Sequence, residues 1–375
     1  MASQDHPFYD TAQRAFHAGV TAADPGAAVT AHMPEFDRTP LVIAVGKAAV
    51  AMARAAGKLL GGLQGAIVVT NPENAETLAG AMVFAAAHPV PDAQGLKASQ
   101  AVIGALQNAG AGQPVLCLIS GGGSALLPAP AAGISLADKA ALNQALLASG
   151  ADIVTMNMIR QQVSDLKGGG LLRHAKGRVT ALILSDVIGD DLRAIASGPT
   201  VAPLGTQASA KAALQDMGVW DGLPASITAH LSVDLARPDV PTARNILVGS
   251  NSQSVAAMAA ALPDAKHHAR ALEGNVVDAA RWVANLGPGA HLFGGETTVT
   301  LTGTGKGGRN QDMGLRVALL TQAQGWDGPW LYLQAGTDGR DGPTDAAGAV
   351  VTQNTLAAIR AAGMDPGAML ANNDA

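Results

Sequence analysis

The sequence predicts an α/β protein organised around a largely parallel sheet. Two observations lead there. Apolar runs of strand length alternate repeatedly with longer stretches that read as helix, which is how parallel strands joined by crossover helices look in a sequence. The length of 375 residues exceeds the size at which a single core stops growing, so two domains with a cleft between them are expected.

In chain order, a helix over 8–19 leads to the strand 41–45 (LVIAV), an apolar run that reads as fully buried. Helix 47–60 follows; its AAGKLL stretch, like AAMAAAL in helix 252–262, suits close packing through small residues. After strands 66–70 and 82–87, the prolines of His88-Pro89-Val90-Pro91-Asp92 stiffen a turn and Asp92 N-caps helix 93–109. Strand 114–119 holds the one cysteine, Cys117, in PVLCLIS, where it reads as a buried small hydrophobe. Helices 135–148 and 153–167, strand 179–184 and helices 190–196 and 206–217 complete the first half. Residues 218–243 are Pro-rich and polar with weak periodicity, which predicts a linker between a domain of residues 1–235 and a smaller one of 244–375. The second half reads as strand 245–249, helices 252–262 and 275–286, strands 290–293 and 297–302, helix 309–323, strand 330–335 and helix 353–362.

Composition narrows the function. With 48% hydrophobic residues, 14% charged and 45 glycines, the chain suits a compact soluble enzyme rather than a disordered one. A net charge of −5, scattered cations and 3% aromatics argue against nucleic acid as a partner. The opening MASQDHPFYD lacks a basic and then apolar leader, and no window reaches the ~18 apolar residues of a membrane span, so the cytoplasm is the expected location.

Three segments carry the chemistry: Ser120-Gly121-Gly122-Gly123-Ser124, Asn157 to Gly170, and Gly303 to Asn310. Each sets glycines beside single cations at an element boundary. Bare glycine N–H groups, helix starts and a neutralising cation make phosphate or carboxylate the natural guest. In LVIAVGKAAVAMARAA the strand passes through Gly46 and puts Lys47 where strand becomes helix, and ligands of open α/β sheets gather at such strand ends. The alternative is a solvated lysine on a first helical turn, where the helix dipole disfavours it. Val42 and Ala48 exclude a P-loop. In PVLCLISGGGSALL the glycines can wrap a phosphate with help from Ser120 and Ser124, or simply turn the chain; Leu126 breaks both the dinucleotide fingerprint and the hydrolase elbow.

Asn157, Arg160, Ser164 and Lys167 fall within roughly 80° of one helical surface. Two cations share that stripe without an interleaved acid, and Gly168-Gly169-Gly170 gives Lys167 room to meet a ligand, although a solvated helix face would look similar. VTALILSDVIGDDL places Ser185 and Asp186 at a strand's end and Asp190 and Asp191 at a helix start. Asp186 is suited to a Mg²⁺ that bridges nucleotide oxygens, and helix capping accounts for one of the later pair. Farther on, Glu296 follows Gly294-Gly295, and Lys306 and Arg309 flank a glycine loop where Arg309 can grip an anion bidentately. Asp338, Arg340, Asp341 and Asp345 lack EF-hand spacing and read as a hydroxyl or metal site, or as a rigid Asx-type loop. His88 reads as structural.

These segments in this order resemble the class II glycerate kinases, whose C-terminal half is called MOFRL and whose members are often labelled hydroxypyruvate reductases. The resemblance spans nearly the whole chain and rests on VGKAA, HPVPD, SGGGSALL, the Asn157–Gly169 segment, LSDVIGDD, SGPT (197–200), GGETTV, GKGGRNQ and AGTDGRDGPTDAAG (335–348). It implies a Rossmann-like N-terminal domain, a smaller α/β C-terminal domain, and ATP-dependent phosphorylation of D-glycerate at its 2-hydroxyl with Mg²⁺. The family's essential lysine and arginine map to Lys47 and Arg309. On this reading Lys47, Arg309 and Lys167 are catalytic, and Gly46, Ser120, Gly121, Gly122, Gly123, Ser124 and Lys306 hold nucleotide phosphates. Asn157, Arg160, Ser164, Glu296 and Asp338 hold substrate, and Asp186 and Asp190 hold the metal. The expected partners are ATP and D-glycerate, with no nucleic acid or membrane and a homodimer left open. Family members usually continue past the counterpart of Asn372-Asn373-Asp374, so the last helix and strand are expected to be missing here, at a cost in stability or activity. Two rivals remain: an NAD(P)H-dependent hydroxypyruvate reductase, for which neither glycine turn carries a dinucleotide fingerprint, and a non-catalytic ligand-binding remnant.

Overall fold

A computed structural model describes residues 5–233 and 239–375. Six strands, β1 (Leu41–Val45), β2 (Ala66–Thr70), β3 (Ala81–Ala85), β4 (Val115–Ile119), β5 (Val179–Leu184) and β6 (Arg244–Gly249), form one sheet in the order β3-β2-β1-β4-β5-β6. Every pairing is parallel. Strand order reverses between β1 and β4, whose ends are in register at Val45 and Ile119. In a sheet of this order a crevice opens beyond the carboxyl ends at the reversal, the place where ligands bind.

The strands are near-continuous apolar runs because both faces are covered. β1, β2 and β4 are buried at every position. One face presents Ile43, Val45, Cys117 and Ile119 to Ala98, Val102 and Leu106 of helix Ala93–Asn108. The other presents Val42, Ala44, Leu116 and Leu118 to Met52, Ala53 and Ala56 of helix Ala49–Leu60, whose small residues let the helix lie close. Each large aliphatic so buried contributes about 1.5–3 kcal/mol, and truncating Leu116 or Leu118 to Ala costs about 2–5 kcal/mol. Cys117 is buried as expected, and burial pushes its thiol up to about 12. Asp92 does cap its helix, accepting from the Gly95 N–H at 2.9 Å. Helices Leu136–Ala148, Ile153–Gln162, Gln207–Asp216 and Ala225–Ser232 add an all-helical layer around Leu142, Leu146, Ile159, Leu214 and Ile227.

The chain groups into two compact units, Pro25–Ser250 and a second that joins the N-terminal segment to Asn251–Ala375. This differs from the expected division at both ends. Helix Tyr9–Ala22 packs on helix Asn251–Ala261, with Gly19 placed where a Cβ would lie 2.9 Å from Met258 Cγ. β6 completes the large sheet instead of opening the second domain. The expected linker contains the helix Ala225–Ser232, which buries Ile227 and Leu231, while the expected boundary at 235 lies outside the described residues.

The second unit is a smaller α/β region. Its strands pair two by two: β7 (Lys266–His267) with β9 (His291–Leu292), β8 (Leu272–Asn275) with β10 (Gly295–Thr298), and β11 (Leu331–Ala335) with β12 (Gly348–Thr352). Helix Arg309–Ala323 lies between two small cores, giving Met313 and Val317 to one and Leu315 and Ala318 to the other. The expected helix over 190–196 is absent. In its place are turns and a short 3-10 segment, Ile195–Ser197.

Candidate active site

The ends of β1 and β4 are fastened together. Gly46 takes φ +124°, and a Cβ there would lie 2.1 Å from Ser120 Oγ, so the approach excludes any side chain. The Lys47 N–H donates to Gly121 O at 2.8 Å and the Ala48 N–H to Ser120 Oγ at 3.1 Å. Asn74 Nδ2 in turn donates to Lys47 O at 3.0 Å. The Lys47 backbone is thereby fixed while its side chain is exposed.

Around the glycine turn stand three ionisable groups. A Cβ on Gly122, at φ +83°, would meet His88 Cδ2 at 3.1 Å and Lys47 Cγ at 3.4 Å, and one on Gly121 would meet Asp186 Oδ2 at 2.4 Å. Lys47, His88 and Asp186 are therefore brought to one loop from three different strand ends. Desolvation lowers the His88 imidazole from its ordinary value, nearby Lys47 lowers it further, and Glu73 opposes. Asp186 is an exposed residue whose carboxyl lies over the loop. Desolvation raises it, against its own backbone N–H, Lys47 and the Gly122 N–H. The sequence reading missed the place of His88; the proline-braced HPVPD turn was its only signal.

Behind the loop lies a second, buried group. Lys167 Nζ donates to Ser124 O and to Ser124 Oγ, both at 2.8 Å, and Ser124 Oγ is 2.8 Å from Ser197 Oγ. A longer contact of 3.5 Å runs from Ser197 Oγ to Asn157 Oδ1. Burial takes Lys167 well below the ordinary lysine value, and the cationic neighbours Lys139 and Arg160 act in the same direction. Lys139 Nζ donates to Pro128 O at 2.5 Å, and desolvation brings it to about 7, with Asp165 opposing and Arg160 reinforcing. Ala196 and Ser197 both take left-handed φ, +49° and +59°. Such non-glycine residues cost about 1–3 kcal/mol each and cluster where function needs them. Ser197 O accepts from the Gly168 N–H and from Gln161 Nε2, which holds the strained turn. Ser197 and Lys139 were not singled out from sequence.

The expected polar stripe of Asn157, Arg160, Ser164 and Lys167 does not form. The helix ends at Gln162, because Val163 O and the Asp165 N–H pair with the Ala131 N–H and with Ala129 O. Asn157 and Lys167 reach the buried group. Arg160 instead bonds Asn143, and Ser164 Oγ donates to Pro128 O at 3.3 Å in a fully buried position. Asp190 sits in a left-handed turn rather than a helix start, its N–H bonded to Val187 O. Among the described residues no group of three His, Cys, Asp or Glu side chains can hold a metal ion.

In the other unit, Arg309 is the first residue of its helix and pairs with Glu296, Nη2 to Oε1 at 2.9 Å, both side chains about half exposed. The glycine loop before it is occupied internally. Asn373 Oδ1 accepts from the N–H groups of Thr302 and Gly303, Asn372 Oδ1 from Thr304, and Asp374 Oδ1 from Lys306. Asn372 O and Asn373 O take the N–H groups of Gly305 and Gly307 at 2.8 Å each. Buried Asp341 caps the helix start through the N–H groups of Asn310 and Gln311. The backbone donors expected to hold phosphate beside Lys306 are thus already used. Asp338 accepts from the Arg340 N–H at 3.2 Å, an Asx-type turn.

The family model described as a domain of unknown function (DUF4147) matches residues 11–232, and that of the MOFRL family matches 289–375. A protein of Agrobacterium vitis provisionally named hydroxypyruvate reductase is 39% identical over 96% of this chain and 87% of its own length. The glycerate 2-kinase of Pyrococcus horikoshii is 38% identical over 86% of this chain and 78% of its own. A crystal structure of glycerate kinase from Thermotoga maritima superposes with a TM-score of 0.85 at 33% identity, covering 97% of this chain and 92% of that one.

Proposed function

The chain belongs to the glycerate kinase family built from DUF4147 and MOFRL regions, and from that premise we propose that it transfers the γ-phosphoryl group of ATP to the 2-hydroxyl of D-glycerate, releasing ADP and 2-phosphoglycerate. The observation that carries the reading is the convergence of Lys47 and Asp186 on the Ser120–Ser124 turn at the strand-order reversal.

Phosphoryl transfer asks the protein for positioning and charge rather than covalent chemistry. In this reading the Gly46 and Ser120–Ser124 backbone approaches the nucleotide phosphates, and Lys47 neutralises the transferring group. A preorganised donor of this kind supports about 10²–10³ in rate. One carboxylate at the loop suits a Mg²⁺ that shares its oxygens with phosphates and does not suit an all-protein cage. Asp186 would hold that ion, which when bound offsets phosphate charge. Arg309 is the second cation of the reading, and its forked donors match the acid's carboxylate.

ADP release coupled to a reporter, measured with D-glycerate and a panel of small 2-hydroxy acids, tests the proposal. Turnover greatest with D-glycerate is expected. No ADP release, together with NADH oxidation on adding hydroxypyruvate, would replace the kinase with the reductase that the Agrobacterium relative's name suggests.

A further inference from the structure

We propose that the proton lost by the acceptor hydroxyl passes to the Ser124 hydroxyl while the Ser124 proton passes to the Lys167 amine. The inference rests on the kinase reading and names the proton acceptor that reading lacks.

The geometry is a line running inward from the loop. Ser124 is partly exposed, whereas Lys167, Ser197 and Asn157 are 6% exposed or less. Of the four, only Ser124 stands at the surface of the phosphate-binding turn. Its hydroxyl lies 2.8 Å from both Lys167 Nζ and Ser197 Oγ, within proton-transfer reach. Among the described residues Lys167 has no carboxylate hydrogen-bond partner; its amine meets Ser124 O and Ser124 Oγ. The charged groups that face it are Lys139 from helix Leu136–Ala148 and Arg160 from helix Ile153–Gln162, both cationic; Asp165 acts on Lys139 and Arg173 instead. A neutral amine fits this place: it can keep donating one N–H to Ser124 O and, with its lone pair turned to Ser124 Oγ, take up the hydroxyl proton across the same 2.8 Å contact. The step balances. The substrate oxygen bonds phosphorus as its proton goes to Ser124 Oγ, Ser124 gives its own proton to Lys167, and the ammonium later returns it to solvent as product leaves.

The test is kcat against pH between 6 and 10 for the wild type, Lys167→Met, Lys167→Arg and Ser124→Ala. The wild-type rate should rise with pH to a plateau. All three variants should lose about 10²-fold or more in kcat and lose the rising limb, with KM for ATP within about threefold. Arginine keeps a cation but accepts no proton. A Lys167→Arg enzyme with the wild-type profile would make the role purely electrostatic, and a Ser124→Ala enzyme with that profile would remove the link; either overturns the proposal. A second measurement does not depend on turnover: the ¹⁵N resonance of Lys167 Nζ, identified by its loss in Lys167→Met. A neutral-amine signal at pH 8 is expected, and an ammonium signal persisting there overturns the relay whether or not the kinase reading holds. Failure of that reading would instead show as absent ADP release with the neutral amine in place.

Discussion

Residues 120–124 and 303–308 are both glycine-rich, both lead into a helix and both have a lysine close by, yet their surroundings are opposite. At the first loop, Lys47, His88 and Asp186 gather over the glycines, with Lys167 behind Ser124. At the second, six successive N–H groups from Thr302 to Gly307 are received by Asn372, Asn373 and Asp374, and the following helix is capped by Asp341. Glycine establishes only that something can come close to the backbone. What comes close is settled by tertiary partners, and at the second loop it is the chain itself.

The largest effect that could break this contrast is functional. Lys47→Ala should lower kcat/KM for ADP release by about 10³-fold, while its exposed side chain makes the thermal midpoint move by less than about 2 °C. Lys306→Ala should change kcat/KM by less than about threefold if its loop serves structure. Equal losses in both would erase the distinction. Next in size is the stability of the second loop. Asn373→Ala strips the acceptor from two N–H groups and forces Ala into φ +55°, which should cost about 2–4 kcal/mol in urea unfolding. Asn373→Gly removes the acceptor without the strain and should cost about 1 kcal/mol less. Matching losses would mean that strain contributes nothing there.

Much of the first unit was legible because its strands are buried on both faces and so declare themselves as apolar runs; β1, β2 and β5 fall where the sequence places them. The second unit was harder, since its strands are two to five residues long and carry little pattern; β7, β8 and β12 were not foreseen. Within the site, Lys47 and Asp186 were readable as strand-end residues. Arg160, Ser164 and Lys167 were misread as one helical face. The interruption at Val163 depends on pairing with residues 129–131, a contact between segments that periodicity cannot register. Ser197 was hidden for the same reason: its left-handed backbone is imposed by neighbours from elsewhere in the chain.

Comparable in size but pH-dependent is the effect of Lys139, a cation held inward near the first loop where Lys306 at the second is exposed. Folding lowers Lys139 from the ordinary 10.5 to about 7, so between those values the unfolded chain binds more protons than the folded one. Stability should therefore rise with pH across that window, being complete above the unfolded value and lost as pH falls through about 7, with a slope of at most about 1.4 kcal/mol per pH unit. Lys167 is shifted in the same direction. Urea unfolding at pH 7 and 9.5 should show a gain in the wild type that shrinks in Lys139→Met. A wild type with flat stability would mean that both amines reach water, and the contrast between buried and exposed cations would fail.

Smallest is the ion pair beside the second loop. Arg309 and Glu296 meet at 2.9 Å with side chains 44% and 49% exposed, a setting in which solvent screening and side-chain entropy leave about 0–1 kcal/mol. Glu296→Gln should thus shift unfolding by less than about 1 kcal/mol, and less again at high salt. If this loop is held by the acceptors of Asn372–Asp374, removing one exposed carboxylate leaves that network intact. A loss above about 2 kcal/mol would show that charge, not backbone hydrogen bonding, organises the loop, and the two glycine loops would then be built on the same principle.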